Sequence, residues 1–147
     1  MESSQEVAET CMQGLMHIAL SDDPELPVPP RLYGGIERVI AMLAAELTAR
    51  GHRVTLFAHP DSKAAADLVP WTGSSSRSRH DTWRNTSILW RETRRRRVDL
   101  IHSFSRIAYL LPLLPIPIPK LMSYQRPICR RSPRPEFPAT TPRRGTR

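Results

Sequence analysis

Tyr33-Gly34-Gly35-Ile36-Glu37-Arg38 puts two glycines where an extended stretch gives way to a helical pattern. Glycine lets a backbone approach a ligand closely, and the first N–H groups of a helix have no partner inside it. Gly34 and Gly35 are therefore candidates for meeting a phosphate or a sugar with main-chain donors. The same pair could equally serve a tight strand-to-helix turn. Glu37 and Arg38 follow in the first turn, where the helix dipole favours the acid and either side chain could touch substrate. A second candidate is Asp99-Leu100-Ile101-His102-Ser103-Phe104-Ser105, an apolar run that ends on an imidazole and a hydroxyl. His102 is the candidate catalytic group and Ser103 a candidate binding group, with a hydrogen-bonded structural histidine as the alternative. The dinucleotide fingerprint G-x-G-x-x-G is absent, so nicotinamide binding is not supported. His59-Pro60-Asp61-Ser62 reads as a turn, and Lys120 and Arg126 as isolated cations.

These groups need a scaffold, and the apolar pattern supplies one. Residues 16–20 read as a strand, and 21–33 as a loop containing four prolines. Ile36, Val39, Ile40, Leu43 and Leu47 then recur at helical spacing, with Glu46 and Arg50 as an i,i+4 pair. Gly51 stands where a helix C′ glycine belongs. Residues 54–58 read as a buried parallel strand, which completes a βαβ unit. Beyond it the pattern predicts a short helix at 63–68, a flexible polar loop at 73–80 and a helix over 82–97. A strand at 98–102 and a helix at 104–111 follow. A last strand at 116–122 contains Pro117 and Pro119, which confine it to an edge or break it. The fold class is α/β, a partial Rossmann-like parallel sheet whose ligands belong beyond the carboxyl ends of the strands.

Further residues sharpen this reading. Pro27-Val28-Pro29-Pro30-Arg31-Leu32 precedes the glycines, Arg50-Gly51-His52 closes the helix, and Val54-Thr55-Leu56-Phe57-Ala58 forms the next strand. That order resembles the start of the N-terminal domain of glycosyltransferase family 4. The likeness runs from about residue 16 to 62 and resumes at 98–124. It implies the first, acceptor-side domain of a two-domain, GT-B type enzyme with its active site in the interdomain cleft. The complete enzyme would transfer a sugar from a nucleotide-sugar donor, UDP- or GDP-linked, to an acceptor hydroxyl. Such enzymes need no catalytic metal and no cofactor, because a helix dipole and basic side chains stabilise the leaving diphosphate. The family's main donor contacts lie on the C-terminal domain, and these 147 residues contain no counterpart, so the chain alone is expected to be inactive. Asp99-Leu100-Ile101-His102 matches the family's D-h-h-H segment, h being apolar. Many members continue H-x-H, with the second histidine reaching the cleft. This chain has Phe104 there, which leaves Ser103, Ser105 or Arg106 as substitutes.

Charge is unevenly placed in a chain of net charge +8. Residues 1–72 carry five Lys/Arg and ten Asp/Glu, whereas residues 73–147 carry seventeen and four. Residues 1–15 are expected to be a disordered extension, with 6–12 as a short helix in the alternative reading. The partial domain then occupies 16–126. Residues 127–147 are Arg, Pro, Thr and Ser with almost no apolar side chains, and read as a disordered tail. A shifted reading frame or a truncated gene near residue 127 would account for that change of character. Arg94-Arg95-Arg96-Arg97 reads as a solvated helix end, and nucleic acid is not an expected partner, because no recognition signature accompanies the charge. Cys11 and Cys129 stand far apart with no metal-ligand spacing, so neither a disulfide scaffold nor a zinc site is expected. No stretch reads as a membrane span, and the expected location is the cytoplasm. The alternative to a transferase fragment is a non-enzymatic α/β module with a basic arm that binds nucleotide, RNA or a partner protein.

Overall fold

A computed structural model describes residues 14–124. The expected extension, except for Gly14 and Leu15, and the expected tail at 127–147 lie outside the described residues.

Five strands form one parallel sheet in the order β3-β2-β1-β4-β5. They are β1 (His17–Ser21), β2 (Arg53–Ala58), β3 (Asp67–Pro70), β4 (Leu100–Ser103) and β5 (Lys120–Met122). Two helices, α1 (Gly35–Ala49) and α2 (Arg79–Arg95), make the long connections. Alternation along the strands sorts the apolar residues onto two faces. Ile18, Leu20, Val54 and Leu56 pack with Ile40 and Ala44 of α1. Ala19, Phe57, Val69 and Ile101 face the other way, onto Leu89 of α2 and the aromatic pair Trp71 and Tyr109. Strands buried on both faces must be apolar nearly throughout, and β1 is buried at all five positions.

The βαβ unit stands as expected. Glu46 and Arg50 pair at 2.8 Å, and Gly51 follows the C-cap with φ of +88°. Several later elements differ from the sequence pattern. The short helix expected at 63–68 is replaced by β3 at Asp67–Pro70, whose Leu68 and Val69 pair with Leu56 and Phe57 of β2. Sheet pairing outweighs the helical preference of the preceding alanines. The helix expected at 104–111 is instead two single 3₁₀ turns, Ile107–Tyr109 and Leu111–Leu113. Pro112 sits at the start of the second turn, where its missing N–H does no harm, yet it blocks continuous helix from the first. The strand before it runs over Leu100–Ser103, and the last strand narrows to Lys120–Met122 at the sheet edge. The loop expected to be flexible at 73–80 is packed. Asn85 holds both main-chain groups of Gly73 at 2.8 and 3.0 Å, and Ser78 caps α2 through Asp81 N–H. A Cβ on Gly73 would stand 2.5 Å from Cβ of Asp81, so the loop lies against the helix only because that residue is glycine.

Candidate functional site

The strand order reverses direction between β1 and β4, and a cleft opens between their carboxyl ends. In open parallel sheets this is the place where ligands bind. The site is built from the residues that leave those two strands.

Ser21 ends β1 and Ser103 ends β4, and register places them side by side. Their hydroxyls bond at 3.0 Å, and Ser105 completes a triangle at 2.9 Å from Ser103 and 3.3 Å from Ser21. All three are buried. Asp22 follows, its N–H on the carbonyl of Phe57 and its carbonyl accepting Trp71 Nε1–H at 2.8 Å. These main-chain bonds sink its side chain to 2% exposure. Oδ1 accepts the N–H of Asp23 at 2.8 Å, while Oδ2 has no partner among the described residues. Burial, with the carboxylates of Glu37, Asp23 and Glu25 nearby, pushes the Asp22 carboxyl up to about 8. Asp23 accepts from Arg106 N–H at 3.4 Å. The Arg106 guanidinium reaches across to the Ser76 carbonyl at 3.0 Å, and the Ser76 N–H in turn donates to Glu25.

The cleft has a volume of about 390 Å³. Asp23, Ser105 and Arg106 form its polar side; Ile36, Phe104, Ile107 and Met122 are among its apolar walls. A neighbouring depression shares Asp23 and Arg106 and adds Glu25, Glu37 and Arg77. A carboxylate, a hydroxyl and a guanidinium on one wall, faced by apolar groups, can grip a hydroxylated molecule. The two further carboxyl groups, Glu25 and Glu37, make the same place poor for a diphosphate.

The glycines stand at the start of α1, directly before Ile36 of the cleft wall. Gly34 has φ of +155°, and a Cβ there would stand 2.5 Å from Glu37 Oε2 and 2.8 Å from the Pro30 ring. It is needed for the turn itself. Gly35 is different: among the described residues a Cβ on it would meet nothing within 4 Å, so they leave the space above it open. No side chain caps this helix start. Glu37 lines the acidic depression, whereas Arg38 donates to the Leu32 carbonyl at 2.9 Å and braces the preceding loop. Ser103 is present but buried beneath Ser105. His102 reaches the carboxyl end of β4 on the other side of that strand. Its Nε2 is 2.8 Å from Ser123 Oγ, and its ring stacks on Phe104 with centroids 4.3 Å apart. Burial holds its pKa below the usual histidine value. Asp99, at the opposite strand end, accepts the His17 N–H at 2.7 Å and belongs to the scaffold.

Asp22 and Asp23 escaped the sequence reading. The one available signal was their position, two acids directly after an apolar first strand at a sheet edge where ligands bind. Among the described residues no group of three or more His, Cys, Asp or Glu side chains is arranged to hold a metal. None of the described helices is long and apolar enough to cross a membrane.

Residues 33–131 match Glycosyltransferase Family 4. Among solved structures the chain is similar to a glycosyltransferase from Rickettsia africae ESF-5, with a TM-score of 0.57 and 18% identity. The likeness covers 76% of this chain and 30% of that one, so the chain spans under a third of its structural relative. No curated protein matches it.

Proposed function

The chain belongs to glycosyltransferase family 4, and from that premise we propose that it forms the acceptor side of a two-domain glycosyltransferase. The complete protein transfers a sugar from a nucleotide-sugar donor to a hydroxyl, and this half holds the molecule bearing that hydroxyl. The observation that carries the reading is the acidic cleft at the β1/β4 switch point. Asp23 accepts the hydroxyl proton's hydrogen bond, Arg106 and Ser105 fix neighbouring oxygens, and the open backbone at Gly35 lets the ligand lie against the start of α1. Glu37 flanks the same entrance. Asp23, Glu25 and Glu37 together disfavour a diphosphate, which supports leaving the donor, UDP- or GDP-linked, to a second domain. His102 serves the cleft at one remove: it holds Phe104, which is a wall, and ties β4 to Ser123.

The test is an amide-resolved NMR titration of the full chain with methyl glycosides, UDP-glucose and GDP-mannose as separate probes. Glycosides are expected to move the amide signals of Gly35, Ser105 and Arg106, with little response to either nucleotide sugar. Nucleotide-sugar shifts centred on Gly34 and Gly35, without glycoside shifts, would reverse the assignment of sides.

A further inference from the structure

Trp83 and Trp90 of α2 take no part in the switch-point cleft. Seven residues apart, they share one helix face, about 10.5 Å from each other along the axis. They are 66% and 42% exposed. With Thr86, Arg91 and Pro112 they line a groove of about 410 Å³. The groove offers aromatic faces and hydrogen-bond donors, the indole N–H groups and the Arg91 guanidinium. Among the described residues no carboxylate lines it. The Arg94 guanidinium lies over the Trp90 ring, 5.0 Å from its centroid, and steadies that ring.

This groove is the far end of a trough. The cleft shares Arg106 and Ala108 with a second depression of about 410 Å³. That depression shares Trp83, Thr86 and Pro112 with the groove. Tyr124, the last described residue, lines the cleft at the trough's other end. Pro135 lies eleven residues further on, a reach of up to ~36 Å when extended. A domain of this size has a radius of gyration of only about 13 Å. Pro133-Arg134-Pro135-Glu136-Phe137-Pro138 also matches the groove in chemistry. Proline holds a backbone near polyproline II at little entropic cost. Three residues make one turn of that helix, so Pro135 and Pro138 fall on one face about 9.3 Å apart, close to the tryptophan spacing. Proline has no N–H, so the segment presents mainly carbonyls, which the groove's donors can meet. Glu136 is the one acid in residues 125–147 and complements Arg91. The other charges of those residues are arginines, which the exposed arginines of α2 repel. The six residues around Glu136 are therefore the part that fits.

We propose that residues 133–138 dock in the Trp83/Trp90 groove of their own chain as a polyproline II strap, the prolines on the indole faces. A second copy carries the same segment, but the chain's own is held at an effective concentration on the order of millimolar. The proposal stands apart from the acceptor-side reading, since no residue of that reading lines the groove.

A nitroxide on Cys129 of the full chain, with the other cysteine replaced (C11S), tests it by NMR of the indole N–H signals. The Trp83 and Trp90 signals are expected to broaden, and to recover when the nitroxide is reduced. Spin-labelled chain mixed with isotope-labelled C11S/C129S is expected to show no broadening, because the docking is within one chain. Acrylamide quenching of tryptophan emission is the second readout. The variant P135S/F137S/P138S is expected to raise it about 2-fold with an unchanged melting temperature. Trp71 is buried in the core and contributes little to either value. No broadening in the spin-labelled chain, or equal quenching of wild type and P135S/F137S/P138S, would overturn the proposal. So would broadening confined to the mixture, which would give the groove to a second copy. Should P135S/F137S/P138S fail to fold, the broadening decides alone.

Discussion

The two ends of the central strands β1 and β4 are made of similar residue types put to opposite use. At the amino end, His17 Nε2 meets Thr55 Oγ1 at 2.8 Å, its Nδ1 meets the Arg96 carbonyl at 3.0 Å, and its N–H is taken by Asp99. The polar groups bridge strands and close on one another. At the carboxyl end, Asp22 keeps an unpartnered oxygen, three serines bond chiefly to each other, and Gly35 faces open space. Buried polar groups are costly unless paired. The first end therefore contributes to stability, and the second gives some up. One sheet separates holding the fold together from meeting a ligand by a distance of five residues.

Five substitutions would break or sharpen that contrast. His17→Ala should have the largest effect, a loss of about 3 kcal/mol, since it opens a cavity and strips partners from Thr55 and the Arg96 carbonyl. Chemical denaturation measures it, and a loss below about 1 kcal/mol would show that the amino end is not the stabilising one.

Asp22→Asn should do the reverse. The folded pKa of about 8 lies above the ordinary carboxylate value of 3.8. The folded state therefore holds a proton that the unfolded chain releases, and wild-type stability falls as pH rises from 3.8 toward about 8. The asparagine variant should melt at least ~5 °C higher than wild type at alkaline pH, with no gain in acid. A gain independent of pH would mean that the carboxyl is not charged by that rise. Burial lowers the pKa of His17, so its contribution runs the other way and is lost as pH falls below 6.5.

The glycine pair gives the next contrast. Gly34→Ala should cost about 1–2 kcal/mol, because a Cβ there meets Pro30 and the backbone has positive φ. Gly35→Ala should leave stability equal or raise it by about 0.5 kcal/mol, while weakening glycoside binding. Equal thermal costs for the two would remove the distinction between a turn glycine and an access glycine. Ser105→Ala should change stability by less than about 0.5 kcal/mol, with its effect seen in the glycoside titration.

How much of this was legible in the sequence follows from how local each signal is. Gly34, Gly51 and the apolar spacing of α1 act within a few residues, and they place the βαβ unit correctly. Strand β3 is four residues long and exists because Leu56 and Phe57 await partners, which no local preference of Asp67–Pro70 announces. The 3₁₀ turns depend on Pro112, whose effect reaches back into the helix expected at 104–111. Asp22 is the hardest case. Its burial depends on Trp71, forty-nine positions away, bonding its carbonyl. In the Asp99–His102 segment the types were visible, but only the strand's direction assigns Asp99 to the stabilising end and His102 to the other.

The strand order has a consequence for synthesis. β1 is made first and occupies the middle, so both halves of the sheet grow outward from a strand already waiting. Residues through Pro70 can assemble β1, α1, β2 and β3 while the ribosome is still adding α2. Until Leu100–Ser103 emerges, one side of β1 offers unpaired main-chain groups to any passing chain. The open switch point is in this sense the seam at which early and late halves of the domain are joined.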